Sequence, residues 1–217
     1  MKVFLRSALI GLLFLGITGA SAQAHEFFWQ DAKSKASLSY PDTWRMIHHQ
    51  KPDEVLSIVA PDDGSMPMCR LRVREDLRNV IYPRRYAANV QHIDFSRDFW
   101  DAYAGEFLNA NVDKVQDNSG LGRGYGSYAH ISYIPDALPA MQRRALAFVS
   151  LYRDKAYIFE CSSERSAFET WYPTFRHIAD SIDFRKEIHE LPGGDYRYFP
   201  GDGVLRIHNE PGKVAVY

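Results

Sequence analysis

Glu164-Arg165-Ser166-Ala167-Phe168-Glu169-Thr170-Trp171-Tyr172-Pro173-Thr174-Phe175-Arg176-His177-Ile178-Ala179-Asp180-Ser181-Ile182 is the stretch that decides the fold. Phe168, Trp171, Tyr172, Phe175, Ile178, Ala179 and Ile182 recur at the 3.6-residue period of a helix that buries one side. Pro173 removes one amide donor and is expected to kink or split this helix. Ser163 stands where an N-cap would accept a hydrogen bond from the first turn. Just before it, Arg144 to Leu151 and Tyr157 to Ser162 read as two strands of a hairpin around Arg153-Asp154-Lys155. Further out, Ala36–Tyr40, Trp44–His48, Val55–Ala60, Met68–Arg74 and Tyr128–Ile134 read as strands, with Pro41-Asp42 and Pro61-Asp62-Asp63-Gly64 as turn signals. A second helix is predicted from Asp94 or Ser96, with Phe95, Phe99, Tyr103 and Phe107 spaced four apart and Trp100 and Leu108 alongside. Strands, helix, strands and a closing helix make an α+β domain, in which an antiparallel sheet between the helices buries both stripes.

The chain begins with an address. Lys2 and Arg6 precede an apolar run from Ala8 to Thr18, and Ala22-Gln23-Ala24 has the small-x-small form of a cleavage site. That run is shorter than the roughly 20 residues a membrane span requires. We expect residues 1–24 to be a signal peptide, with a chain starting at His25 in the periplasm or outside the cell and no cysteine there to carry a lipid. Residues 25–186 then form one domain. Residues 187–217, broken by Gly193-Gly194, Pro200-Gly201-Asp202-Gly203 and Pro211-Gly212, form a tail with room for a hairpin. Without the leader the chain has 24 basic and 27 acidic residues, a net charge of −3, because the leader carries two of the 26 Lys and Arg and no acid. Such a balance argues against nucleic-acid binding through bulk charge. No second apolar run approaches membrane-spanning length.

Two cysteines remain, Cys69 and Cys161. Strand parity sets Cys69 beside Leu71 and Val73, and Cys161 beside Tyr157 and Phe159, so both thiols point to apolar faces. In an oxidising compartment a bridge is the expected state, closing a loop of about 90 residues and contributing on the order of 4–5 kcal/mol in the chain-entropy account. The alternative is two separate buried thiols behaving as small hydrophobes.

Three local patterns bear a family resemblance. Leu38-Ser39-Tyr40-Pro41-Asp42-Thr43-Trp44 resembles the opening pattern of PsbP-like proteins, shared by the Mog-type Ran-binding proteins and their exported bacterial relatives. Tyr157-Ile158-Phe159-Glu160-Cys161-Ser162 is similar to the strand before that family's last helix. Trp171, Phe175, Ile178, Ser181 and Phe184 resemble the helix itself and its ending. The resemblance spans roughly residues 27–186 and rests on packing positions. It implies a three-layer α/β/α sandwich around a central antiparallel sheet, and a non-catalytic protein that stabilises, assembles or regulates a larger complex. No photosystem-binding or Ran-binding residue can be matched, and the tail after residue 187 departs from the pattern.

Few groups converge for chemistry. Gly120-Leu121-Gly122-Arg123-Gly124-Tyr125-Gly126 lacks the helix, Lys and Ser/Thr of a phosphate loop, and reads as a connection between two strands. Ser162-Ser163-Glu164-Arg165 lacks the sharp Gly-flanked turn that exposes a nucleophilic serine. Asp62-Asp63 belongs to a turn. After cleavage, the imidazole and amine of His25 would be a nitrogen pair suited to copper, with His48, His49, His92 or His130 as a further donor. Arg70, Arg72 and Arg74 share the strand face opposite Cys69, followed by Arg84 and Arg85. Arginines so arranged suit an acidic partner or anionic ligand, or else a solvated face paired with Glu160, Glu54 or Asp53. The expected function is that of an exported, non-enzymatic accessory protein without cofactor or metal, which binds an envelope protein or complex. The alternatives are a copper-binding protein using His25 and a hydrolase of unnamed substrate.

Overall fold

The computed structural model describes residues 25–48, 51–61, 64–77, 95–135, 138, 140–186, 207–210 and 213–215. The leader, Asp62-Asp63, Arg84-Arg85, His49, His92, Asp94 and the glycine and proline clusters of the tail lie outside the described residues. The elements run β1 (Glu26–Gln30), β2 (Ala36–Pro41), β3 (Arg45–Met46), β4 (Glu54–Val59), β5 (Met68–Glu75), α1 (Arg97–Ala104), β6 (Leu108–Ser119), β7 (Tyr125–Ile134), β8 (Arg143–Tyr152), β9 (Lys155–Glu164), a 3-10 turn (Arg165–Ala167), α2 (Phe168–Asp180), β10 (Asp183–Phe184), β11 (Ile207–Glu210) and β12 (Lys213–Ala215). A seven-stranded antiparallel sheet has the order β3-β4-β5-β9-β8-β7-β6. A three-stranded sheet has the order β1-β2-β10, and β11 pairs with β12 as a hairpin. The fold is α+β.

Alternation along β8 and β9 divides the core in two. Ala145, Ala147, Val149, Ala156 and Ile158 pack with Phe95, Trp100 and Tyr103 of the α1 region on one face of the large sheet. Leu146, Phe148, Tyr157, Phe159 and Cys161 point the other way, to Phe168, Phe175, Ile178 and Ile182 of the α2 region. That second side also takes Ala36, Leu38 and Tyr40 from the small sheet, so helix and strands cover it together. The two striped helices therefore lie on opposite sides of one large sheet. Burying a Phe, Leu or Ile side chain contributes about 1.5–3 kcal/mol, so two dense clusters are what hold these layers together.

Several local expectations are corrected. Helix α1 stops at Gly105, so Phe107 and Leu108 lie beyond it. Phe107 instead stacks on Tyr133 at 4.3 Å between ring centroids, and Leu108 starts β6 and is exposed. Ser96 is the N-cap residue of α1, yet its side chain makes no capping hydrogen bond. Ser163 is not a cap either: it is fully buried in β9, and its hydroxyl donates to the Glu164 carbonyl. Helix α2 runs unbroken through Pro173. Glu169 and Pro173 both lie on its exposed side, where water can reach the carbonyl that loses its amide partner. Strand β1 has no counterpart in the sequence reading, because its burial comes only from Trp29 packing against the core.

The glycine-rich segment joins β6 to β7, as a strand connection should. Gly126 is required by close approach, since a Cβ there would stand 1.9 Å from the Val149 carbonyl oxygen of the neighbouring strand.

Candidate functional site

A dense group of ionisable side chains lies where the end of α1 meets β4, β5 and β9. On β5, alternation sends Leu71 and Cys69 to the α2 side and Arg70 and Arg72 to the α1 side. The antiparallel register of β5 and β9 sets Arg70 directly opposite Glu160. Arg70 Nη2 donates to Glu160 Oε1 at 2.9 Å, and its Nη1 lies 3.8 Å from Glu54 Oε1. Tyr103 and Tyr133 also donate their hydroxyl protons to Glu160. Next along, Arg72 meets Asp53 and Glu106, Arg74 meets the same two acids, and Lys51 closes on Glu106. Lys51, Arg70, Arg72 and Arg74 thus face Asp53, Glu54, Glu106 and Glu160, one cation for each anion. Phe107 lies over the Arg70 guanidinium at 5.5 Å and Tyr103 over that of Arg72 at 5.7 Å, which covers the charges with ring faces.

This arrangement revises the reading of the arginine stripe. Arg70 and Arg72 are only 9% and 4% exposed, because the α1 end with Tyr103 and Phe107 covers this face. Their carboxylate partners are those the sequence suggested, but the face is not solvated. Arg74 keeps 42% of its side chain exposed. Tyr103, Tyr133, Lys51 and Glu106 were not anticipated as members. The two tyrosines look like ordinary core aromatics in a stripe, and only their hydroxyls reveal the site. Arg143 extends the polar chain below, donating to the carbonyls of Met66 and Ser162 at 2.8 Å each.

The protonation states follow from the contacts. Burial alone would raise the Glu160 pKa, but Arg70 and the two tyrosine hydroxyls hold it below the ordinary carboxylate range. Burial and the Glu160 charge push Tyr103 well up, and push Tyr133 to about 12. Asp53 and Glu106 are held low against burial by Arg72 together with Arg74 and Lys51 respectively. At neutral pH these acids are charged and these phenols are not.

A second ionisable group, half-buried, lies on the opposite face. The His130 ring stacks on Tyr172 at 5.9 Å and meets Phe168 edge-on at 6.0 Å. Burial first, then Arg144 and Lys114, lower its pKa to about 4, while Glu169 and Asp113 oppose the shift. An unfolded histidine titrates near 6.5, so between about pH 6.5 and 4 the unfolded chain binds the extra proton. We predict that His130 contributes stability above about pH 6.5 that is lost as pH falls through about 4. Urea unfolding at stepped pH should show a shallower decline in that window for His130→Phe than for the native chain, and identical slopes would refute the assignment.

The cysteines lie opposite each other on β5 and β9, on the α2 side, and are joined, 4.0 Å apart at Cα. Among the described residues no three His, Cys, Asp or Glu side chains converge as a metal site would require. His25 there makes a backbone contact, accepting from the Asp42 amide. No helix among the described residues is long and apolar enough to cross a membrane.

Against known proteins, no family model matches the chain, and no curated protein is significantly similar. Among solved structures it is similar to cyanobacterial PsbP (CyanoP) from Synechocystis sp. PCC 6803, at 17% identity and a TM-score of 0.47 over 79% of this chain and 99% of that one. It is also similar to LpqN of Mycobacterium tuberculosis, described as involved in cell envelope biogenesis, at 12% identity and a TM-score of 0.47 over 75% and 91%. A third likeness is to the Ran-binding protein Mog1p of Saccharomyces cerevisiae, at 5% identity and a TM-score of 0.44 over 74% and 96%.

Proposed function

We propose that this chain is an exported, non-catalytic accessory protein, a three-layer α/β/α sandwich that binds an envelope protein or complex through its outer surface. The observation that carries this reading is the closed cluster beneath α1. Efficient general acids and bases have pKa values near the working pH. Glu160, Tyr103 and Tyr133 are displaced away from neutrality in opposite directions, and their hydrogen-bonding capacity is turned on one another. Such a cluster anchors a helix end to a sheet. The leader-like residues 1–24 and the Cys69–Cys161 bridge support export to an oxidising compartment.

Of the arginine stripe, we assign the meeting with an acidic partner to Arg74, which keeps 42% of its side chain exposed while paired with Asp53 and Glu106. Exposed ion pairs contribute at most about 1 kcal/mol, so Arg74→Gln should leave the melting temperature within a few degrees of the native value. Affinity capture from an oxidised envelope extract, after chemical cross-linking, is expected to recover one protein in stoichiometric amount. Arg74→Gln should reduce that recovery several-fold. Absence of any stoichiometric partner, or full recovery with Arg74→Gln, would overturn the respective parts of this reading.

A further inference from the structure

Among the described residues strand β1 is an edge of the small sheet, and its backbone geometry shows what that edge offers. The Asp42 amide donates to the His25 carbonyl, and the Asp31 amide donates to the Ala36 carbonyl. Odd-numbered residues of β1 therefore turn their main-chain groups toward β2. Because this direction alternates along an antiparallel strand, Glu26, Phe28 and Gln30 turn theirs to the open edge. The side chains there are aromatic, with Phe27 and Phe28 exposed by 51% and 62%.

Natural edge strands are blunted by charge, proline or bulges. This protein does so on β6, an edge of the large sheet, which has three register shifts against β7 and carries Asp113, Lys114 and Asp117. Strand β1 pairs with β2 without a shift, and Glu-Phe-Phe-Trp-Gln has neither lysine nor proline. Among the described residues, β6 is guarded and β1 is left able to pair.

We propose that β1 docks on β1 of a second copy of this chain, antiparallel, about a two-fold axis at Phe28. The strand is complementary to itself in that register. Phe28 faces its counterpart, Phe27 faces Trp29, Glu26 faces Gln30, and His25 faces Asp31. Every outward amide and carbonyl of residues 26, 28 and 30 then has a partner. Moving the axis to Phe27 or Trp29 would set Glu26 against Phe28, or Asp31 against Phe27, charge against aromatic ring. The Glu26 carboxylate meets His177 of its own chain and remains 39% exposed. The two small sheets join in the order β10-β2-β1-β1-β2-β10.

So short a strand pair makes a small interface, and the dimer is a transient one. Sedimentation equilibrium of the whole chain, as the cell processes it, tests this between ~10 μM and ~1 mM. The native protein is expected to pass reversibly from monomer to dimer. Gln30→Lys sets a cation opposite Glu26 and should tighten the dimer at least about threefold, whereas Gln30→Glu should weaken it by a similar factor. Phe28→Lys places like charges on the axis and should leave a monomer throughout. A native protein that is monomeric at every concentration, including one that takes a strand from another protein instead, overturns the proposal. So does a dimer whose constant fails to move in opposite directions with the two Gln30 variants, which do not disturb the core even if Phe28→Lys misfolds.

Discussion

Arg70→Met is expected to destabilise the fold by about 3–5 kcal/mol, the usual cost of removing one partner from a buried ion pair. The loss comes from Glu160, which is 2% exposed and, without its cation, must either stay charged in a buried site or take up a proton. Two phenol protons cannot replace a guanidinium. For a chain of this size the melting temperature should fall by roughly 6–20 °C. The double variant Arg70→Met with Glu160→Gln should recover part of the loss, because a neutral amide is cheaper to bury and its carbonyl still accepts from a tyrosine. Urea unfolding measures both. A cost below about 1 kcal/mol for Arg70→Met would show that water reaches Glu160 and that the cluster is open.

Replacing Cys69 and Cys161 together with alanine should cost about 4–5 kcal/mol in the chain-entropy account, with a fall in melting temperature of roughly 8–20 °C. The bridge joins adjacent strands but closes a loop across 92 positions, and that long connection gives the unfolded chain its extra freedom when the bridge is absent. Both sulfurs are buried, so a reductant added to the folded protein should act only as the molecule opens. Native protein reduced in urea and refolded under reducing conditions should match the double variant. A double variant as stable as the oxidised protein would mean that the bridge does not form.

Legibility in the sequence followed the range of the interaction. The stripe from Phe168 to Ile182 and the alternation from Met68 to Arg74 each satisfy one local period, and the helix and strand stand where those periods place them. Strand β1 was invisible because an edge strand with exposed aromatics has no apolar alternation to read. The extent of α1 was overread because the four-residue spacing continues to Phe107, while Gly105 ends the helix and Phe107 turns to stack on Tyr133. In the ion cluster, opposite charges on neighbouring strands hinted at Arg70 and Glu160. Tyr103 and Tyr133 gave no hint, since a core tyrosine and a charge-capping tyrosine have the same spacing.

By itself the sequence determined the local periods, the class of fold they add up to and the parity that turns Arg70 and Cys69 to opposite faces. All of these depend on residues a few positions apart. Only the tertiary structure decided that Arg70 and Arg72 are covered. Their environment is set by the β5–β9 register and by the end of α1, which bring together residues from Lys51 to Glu160. Whether an arginine is a solvated contact or a buried brace depends on what packs over it, and that is a property of the assembled layers.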